Sequence, residues 1–184
     1  RLGHQVTVFE AEPVTGGMMR LGIPAFRLPR QILDSEINEI KTVGVDIKVN
    51  SRIESLDDLF NHGYDAIFTG IGAYLSRNME IEGEDDASVL NGIDFLRDVN
   101  LGNKMKLGNK VLVIGGGNAA IDSARTALRL GVAEVEIAYR RTYAAMPASP
   151  EEVKEAIEEG VKLDFLVAPV KISRINGRLK VEFV

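Results

Sequence analysis

The chain contains no cysteine. That excludes a structural disulfide, a Cys-x-x-Cys redox pair and a cysteine-ligated iron–sulfur cluster within it. It also fits a reducing cytoplasm better than a secreted disulfide scaffold. The two histidines, His4 and His62, lie far apart and lack ligand-like spacing, so no metal site is expected. No apolar run approaches the ~20 residues of a membrane-spanning helix, and no signal peptide is visible. Basic residues are outnumbered 22 to 27, for a net charge of −5, which disfavours non-specific binding to nucleic acid or an anionic membrane. There is no Tyr-x-x-x-Lys pair and no convincing catalytic histidine. A dehydrogenase that protonates an organic substrate directly is therefore a poor reading. With 45% hydrophobic and 27% charged residues, the composition is that of an ordinary globular protein.

The rest is organised around Lys110-Val111-Leu112-Val113-Ile114-Gly115-Gly116-Gly117-Asn118-Ala119-Ala120-Ile121-Asp122. The unbroken apolar run Val111 to Ile114 predicts a strand buried on both faces. Gly115, Gly117 and Ala120 occupy the positions of the G-x-G-x-x-G/A fingerprint, and a helix is expected over Ala119 to Leu130. In that fingerprint the first glycine permits the turn and the second admits a pyrophosphate. The small third residue lets helix pack on strand, and the helix N-terminus faces the phosphates. The alternative is a tight turn with no ligand.

Val132 to Tyr139 reads as the next strand. An NAD-binding unit places an acidic residue about 20 positions after its glycines to hold the ribose hydroxyls. Here that place holds Tyr139, followed by Arg140 and Arg141. A carboxylate would repel a 2′-phosphate, whereas guanidinium groups bind one through charge-assisted hydrogen bonds. The pattern predicts NADP(H) rather than NAD(H), the alternative being a solvated arginine loop.

An internal repeat is visible. Arg1-Leu2-Gly3 precedes the strand Val6 to Glu10, as Arg129-Leu130-Gly131 precedes Val135 to Tyr139. Leu28-Pro29 then leads into a helix over Arg30 to Val43, Gly44-Val45 and a strand over Asp46 to Asn50. Met146-Pro147 leads likewise into a helix over Pro150 to Glu159, Gly160-Val161 and a strand over Lys162 to Val167. Two related dinucleotide-binding units follow from this. By analogy, a strand, a glycine loop and most of a helix are expected upstream of Arg1, and a further strand beyond Val184. The chain is thus expected to be part of a larger protein, and to retain little FAD by itself.

Glu10 ends its strand where the ribose-binding carboxylate belongs, so the first unit suits FAD. Gly16-Gly17-Met18 and the turn-rich segment to Pro29, with Arg27, are further candidates for the flavin side. Tyr64 to Gly70 reads as a strand entering a second close-approach site at Gly70 and Gly72. A short helix is expected over Asp57 to Asn61 and another over Gly92 to Val99. The linker between units falls within Leu101 to Asn109, giving domains 1–100 and 101–184. Asn176-Gly177 between two β-type runs predicts a hairpin.

The stretches VTVFEAEPVTGGMMRLGIPAFRLP, DAIFTGIGA, KVLVIGGGNAAIDSA and VEIAYRR followed by AMPASPEEVKEAIEEGV resemble the glutamate synthase small (beta) subunit family. That family includes the N-terminal part of dihydropyrimidine dehydrogenase and ferredoxin:NADP oxidoreductase subunits. The resemblance implies an α/β fold of two Rossmann-like units, an FAD domain with an inserted NADPH domain. It further implies that Glu10 through Met18, Arg27 and Ile53 contact FAD, with Gly70 and Gly72 nearby. Gly116 to Ala119 would hold the NADPH phosphates, and Arg140 with Arg141 the 2′-phosphate. Family members often carry another basic residue near Pro147, which this chain lacks. Hydride would pass from NADPH to flavin, and electrons onward to an iron–sulfur domain or partner subunit, such as a glutamate synthase large subunit or ferredoxin. The competing reading is a flavin-free NADP(H)-binding module or sensor.

Overall fold

The computed structural model describes residues 2–184. The chain forms two compact units, Arg1–Tyr74 and Leu75–Val184. Among the described residues no helix is long and apolar enough to cross a membrane.

In the first unit, β1 (Val6–Phe9) and β2 (Val45–Lys48) pair in parallel from Val6↔Val45 to Phe9↔Lys48. The crossover between them carries α1 (Gly17–Leu21) and α2 (Arg30–Thr42), and α3 (Leu56–Asn61) follows. Helix α2 starts where predicted and stops one residue earlier, at Thr42. Pro29 precedes its first residue, and Gly44, at φ +96°, ends it in the left-handed region that L side chains resist. Helix α1 was not expected from so turn-rich a stretch. Two arginines hold it. Arg20 donates from Nε to the Thr15 carbonyl at 3.0 Å and pairs with Asp34 on α2. Arg30 donates to the carbonyls of Met19 at 3.2 Å and Ile23 at 2.9 Å. Leu21 and Leu33 are buried beneath these ties.

Tyr64 to Gly70 does not form the predicted strand. A strand is stabilised by its ladder, and among the described residues the only ladder partner of β1 is β2. Phe68 is 95% exposed as a result.

The second unit contains α4 (Gly92–Asn100), β3 (Lys110–Ile114), α5 (Asn118–Arg129), β4 (Glu134–Tyr139), a 3-10 turn (Tyr143–Ala145), α6 (Pro150–Glu158) and β5 (Lys162–Phe165). Strands β3, β4 and β5 make a parallel sheet in that order. Pairing in register (Val113↔Ile137, Ile137↔Leu163) sends Val111, Val113, Val135, Ile137 and Leu163 to one face. That face packs on Ile121, Ala124 and Ala127 of α5, Val153 and Ala156 of α6, and Phe95 and Leu96 of α4. Burying each large aliphatic side chain there contributes about 1.5–3 kcal/mol. Because α4 belongs to this core, the compact units divide after Tyr74 and not near residue 100.

The other face of the sheet differs from the expectation that β3 is buried on both sides. It carries charge. Lys110 pairs with Glu136 at 3.1 Å and with Glu134 at 3.7 Å, and Lys162 with Glu134 at 3.8 Å. At the start of the strands this face is charged, while Leu112, Ile114 and Ala138 keep its other end apolar.

The predicted hairpin is present as β6 (Pro169–Ile175) and β7 (Arg178–Phe183). Asn176 and Gly177 turn with φ of +50° and +78°. The acidic turn before α4 is fastened to β6: Ile172 N–H donates to the Glu82 carbonyl at 2.8 Å, Lys171 meets Glu82 at 2.7 Å, and Arg174 Nε meets Asp86 at 3.1 Å.

Helices α5 and α6 are joined by a charged clamp. Arg125, only 5% exposed, donates to both Glu159 oxygens at 3.1 and 2.7 Å and meets Glu155 at 2.8 Å. Arg129 adds bonds to Glu159 of 2.6 and 2.7 Å. The hydrogen bonds from Arg129 and then Arg125 hold the Glu159 carboxyl down at about 2. A lowered carboxylate pKa stabilises the fold above the ordinary value of 4.5, and that stabilisation is lost as pH falls toward about 2. Glu159→Gln is expected to lower stability at pH 7 by roughly 1–3 kcal/mol, because it leaves a buried guanidinium short of its carboxylate. Urea unfolding at pH 7 and at pH 3 checks this. The gap between wild type and variant should narrow at the lower pH.

Candidate functional site

The site is built where β3 and β4 end side by side. The Gly115 N–H donates to the Ala138 carbonyl at 3.1 Å, carrying the ladder one residue past β3. The chain then turns, and the three glycines do different things. Gly115 sits at φ +143°, with the space for a Cβ 3.3 Å from the Ala120 Cβ, so it makes the turn and lets α5 lie close to the strand. Gly116 is buried, and a Cβ on it would lie 2.5 Å from the Tyr139 ring. Gly117 has ordinary extended geometry, φ −92° and ψ 173°, and the nearest atom to a Cβ there is Pro147 Cγ at 4.0 Å. Nothing within the protein requires glycine at Gly117. A ligand approaching the backbone would.

Gly117 is also the N-cap of α5, and no side chain caps that helix. The first backbone N–H groups of an α-helix have no partner in their own helix, and they sit at its positive dipole end. Asn118 and Ala119 are exposed there, and Ala120 is half-buried against the turn. The Asn118 Oδ1 accepts from the Ser149 N–H at 3.2 Å.

Arg140 and Arg141 leave the end of β4 and are both exposed. Among the described residues neither guanidinium is paired with a carboxylate. The structure therefore brings two free cations and an uncapped helix N-terminus to the carboxyl ends of adjacent parallel strands, the end at which α/β proteins bind ligands. Tyr139 is turned inward at 8% exposure.

The first unit carries its own set. Glu10 follows β1, its N–H bonded to the Lys48 carbonyl at 2.9 Å and its Oε1 accepting from the Glu12 N–H at 2.9 Å. Ile53 lines an open cleft of about 570 Å³ together with Phe9, Lys48, Arg52 and Tyr64. Phe9 and Tyr64 meet edge to face at 5.7 Å, and Lys48 Nζ stands 5.6 Å over the Phe9 ring. Sequence reasoning singled out Glu10 and Ile53 but missed these neighbours. Their signal was only that Phe9 and Arg52 adjoin the two named residues. Of the others, Gly16 has no room for a Cβ because of Leu33, 2.7 Å away, and the Met18 side chain folds over Gly22. Gly17 and Gly72 have φ of +52° and +71°, Arg27 is half-buried, and a Cβ on Gly70 would meet the Phe68 ring at 3.1 Å.

A glycine turn into an uncapped helix, beside unpaired arginines on the next parallel strand, defines a dinucleotide-binding α/β protein. More particularly, the chain belongs to the pyridine nucleotide-disulphide oxidoreductase family, whose model matches residues 1–183. It is 46% identical over 183 residues to the NADP(+)-dependent formate dehydrogenase subunit beta of Moorella thermoacetica, covering 97% of this chain and 26% of that one. It is 36% identical over 202 residues to the glutamate synthase [NADPH] small chain of Escherichia coli, covering 100% of this chain and 42% of that one. The resemblance carried by the sequence motifs is thereby upheld. FprA of Mycobacterium tuberculosis, solved in complex with NADPH, shares the fold at a TM-score of 0.78 and 17% identity, covering 97% of this chain and 60% of FprA. The chain thus spans about a quarter to two-fifths of the length of these curated relatives. With no cysteine present, the disulphide chemistry in the family's name has no counterpart within these residues.

The glycines are separable by experiment. Gly117→Val is expected to leave the thermal unfolding midpoint nearly unchanged and to weaken pyridine-nucleotide binding at least about a hundredfold, the equivalent of two lost charge-assisted bonds. Gly115→Val is expected to destabilise the fold itself, by roughly 1–3 kcal/mol of backbone strain. Calorimetry and nucleotide titration on the two variants check both.

Proposed function

We propose that this chain is the dinucleotide-binding part of an NADPH-dependent flavin oxidoreductase of the glutamate synthase small-chain type. The carrying observation is the pair of unpartnered arginines, Arg140 and Arg141, beside the Gly117 cradle. In this reading Gly115 to Ala120 take the NADPH pyrophosphate, Gly117 and Asn118 through backbone N–H groups. Arg140 and Arg141 bind the 2′-phosphate, and Tyr139 stands where an NAD-binding unit places its carboxylate.

The first unit is proposed to hold FAD. Glu10 would take the ribose hydroxyls, and the cleft at Ile53 the flat adenine. Gly16, Gly17, Met18 and Arg27 would face the flavin part, with Gly70 and Gly72 near it. When bound, a nicotinamide and a flavin together supply hydride transfer. The protein's share is to bind and orient, and no side chain need act as acid or base. Fragment character is part of the proposal, as is the division into an FAD-binding and an NADP(H)-binding part.

Electrons are proposed to pass to a separate iron–sulfur domain or partner subunit. Two relatives are named as subunits of larger enzymes, the formate dehydrogenase subunit beta and the NADPH-Fe(3+) oxidoreductase subunit beta of Geobacter sulfurreducens, and this supports a partner. The lack of cysteine supports a reducing compartment, the cytoplasm.

The test uses the full-length protein with Arg140 and Arg141 both changed to alanine. NADPH affinity is expected to fall about a hundredfold, at ~1.5 kcal/mol per lost charge-assisted bond, while NADH affinity stays within about twofold. Equal losses for both nucleotides would sink the assignment. A wild-type protein without a flavin absorbance band would sink its FAD half.

A further inference from the structure

We propose that Tyr139 is a positioning residue for coenzyme choice: it ties the segment carrying Arg140 and Arg141 to the glycine turn without touching the nucleotide. This rests on the reading of Arg140 and Arg141 as the 2′-phosphate site.

Tyr139 stands about 20 residues beyond the glycines, where dinucleotide-binding proteins place the side chain that meets the ribose. Here that side chain points inward and is 8% exposed. Its two ends make two different contacts. The ring fills the space beside Gly116, where a Cβ would lie 2.5 Å from a ring carbon. The hydroxyl donates to the Ala145 carbonyl at 2.7 Å. Ala145 closes the 3-10 turn that follows Arg141.

The same segment is fastened to the glycine turn at two more points. The Ala148 N–H donates to the Gly116 carbonyl at 3.1 Å, and the Ser149 N–H to Asn118 Oδ1 at 3.2 Å. These lie at the far end of the segment, next to α6. Nearer the arginines, the Arg141 carbonyl accepts from the Leu166 N–H at 3.3 Å, but Leu166 is exposed, so the Tyr139 hydroxyl is the bond that joins this segment to a buried side chain. The bond is half-buried and its acceptor Ala145 is exposed, so it holds the turn by a directed contact to a fixed ring. The ring therefore serves the pyrophosphate turn, and the hydroxyl serves the arginine segment.

That division makes the proposal testable in the full-length protein. Tyr139→Phe keeps the ring and removes the hydroxyl. NADPH affinity is expected to fall about fivefold, the equivalent of one hydrogen bond, with NADH affinity changed by less than about twofold. Tyr139→Leu removes the ring as well and is expected to weaken both nucleotides. Dissociation constants for NADPH and NADH are measured alongside melting temperature, which Tyr139→Phe should leave near the wild-type value. An unchanged NADPH-to-NADH ratio in Tyr139→Phe overturns the inference while leaving the 2′-phosphate site standing. A wild-type protein with no preference for NADPH overturns that site itself, and the inference with it.

Discussion

The hydrogen bond from the Gly115 N–H to the Ala138 carbonyl fixes everything around it. It extends the β3–β4 ladder by one residue and so sets where the chain leaves the sheet. From that point Gly115 can turn only because it lacks a side chain, and α5 begins three residues later. Parallel pairing does the rest. Strands that run the same way end on the same edge, so the turn after β3 and the arginines after β4 come to the same end of the sheet.

The three glycines of the turn show how one short run satisfies three demands. Gly115 answers to backbone conformation, Gly116 to the ring of Tyr139, and Gly117 to nothing inside the protein. At Gly117 the nearest atom a Cβ would meet is 4.0 Å away, so the backbone there can be approached closely. The uncapped N-terminus of α5 points to the same side.

The two units repeat one plan with opposite charge at the decisive place. The residue after β1 is Glu10, and the residue after β4 is Arg140. An acid accepts hydrogen bonds from ribose hydroxyls, and a guanidinium donates them to phosphate. The two units thus differ in charge at this strand end while the frame stays the same. In the frame, a Pro at or just before the first residue and a Gly after the last set the limits of α2 and α6, legible because Pro fixes φ near the helical value and Gly accepts the left-handed φ that ends a helix.

The sequence by itself determined the local features: the glycine turn and its helix, the Asn-Gly hairpin, the α/β order and the repeat. Each follows from conformational limits or periodicity within a few neighbouring residues. Tertiary structure decided whatever needed a distant partner. Helix α1 exists because Arg20 reaches Asp34 and Arg30 reaches back to Met19 and Ile23. Tyr64 to Gly70 read as a strand but, among the described residues, had no ladder to join. The unit boundary moved because α4 buries Phe95 and Leu96 in the second core. The Arg125–Glu159 clamp links residues 34 positions apart, and no pattern along the chain announces it. The inward turn of Tyr139 was likewise invisible, since whether a strand-end side chain faces core or ligand depends on sheet register and on the space a neighbouring glycine leaves open.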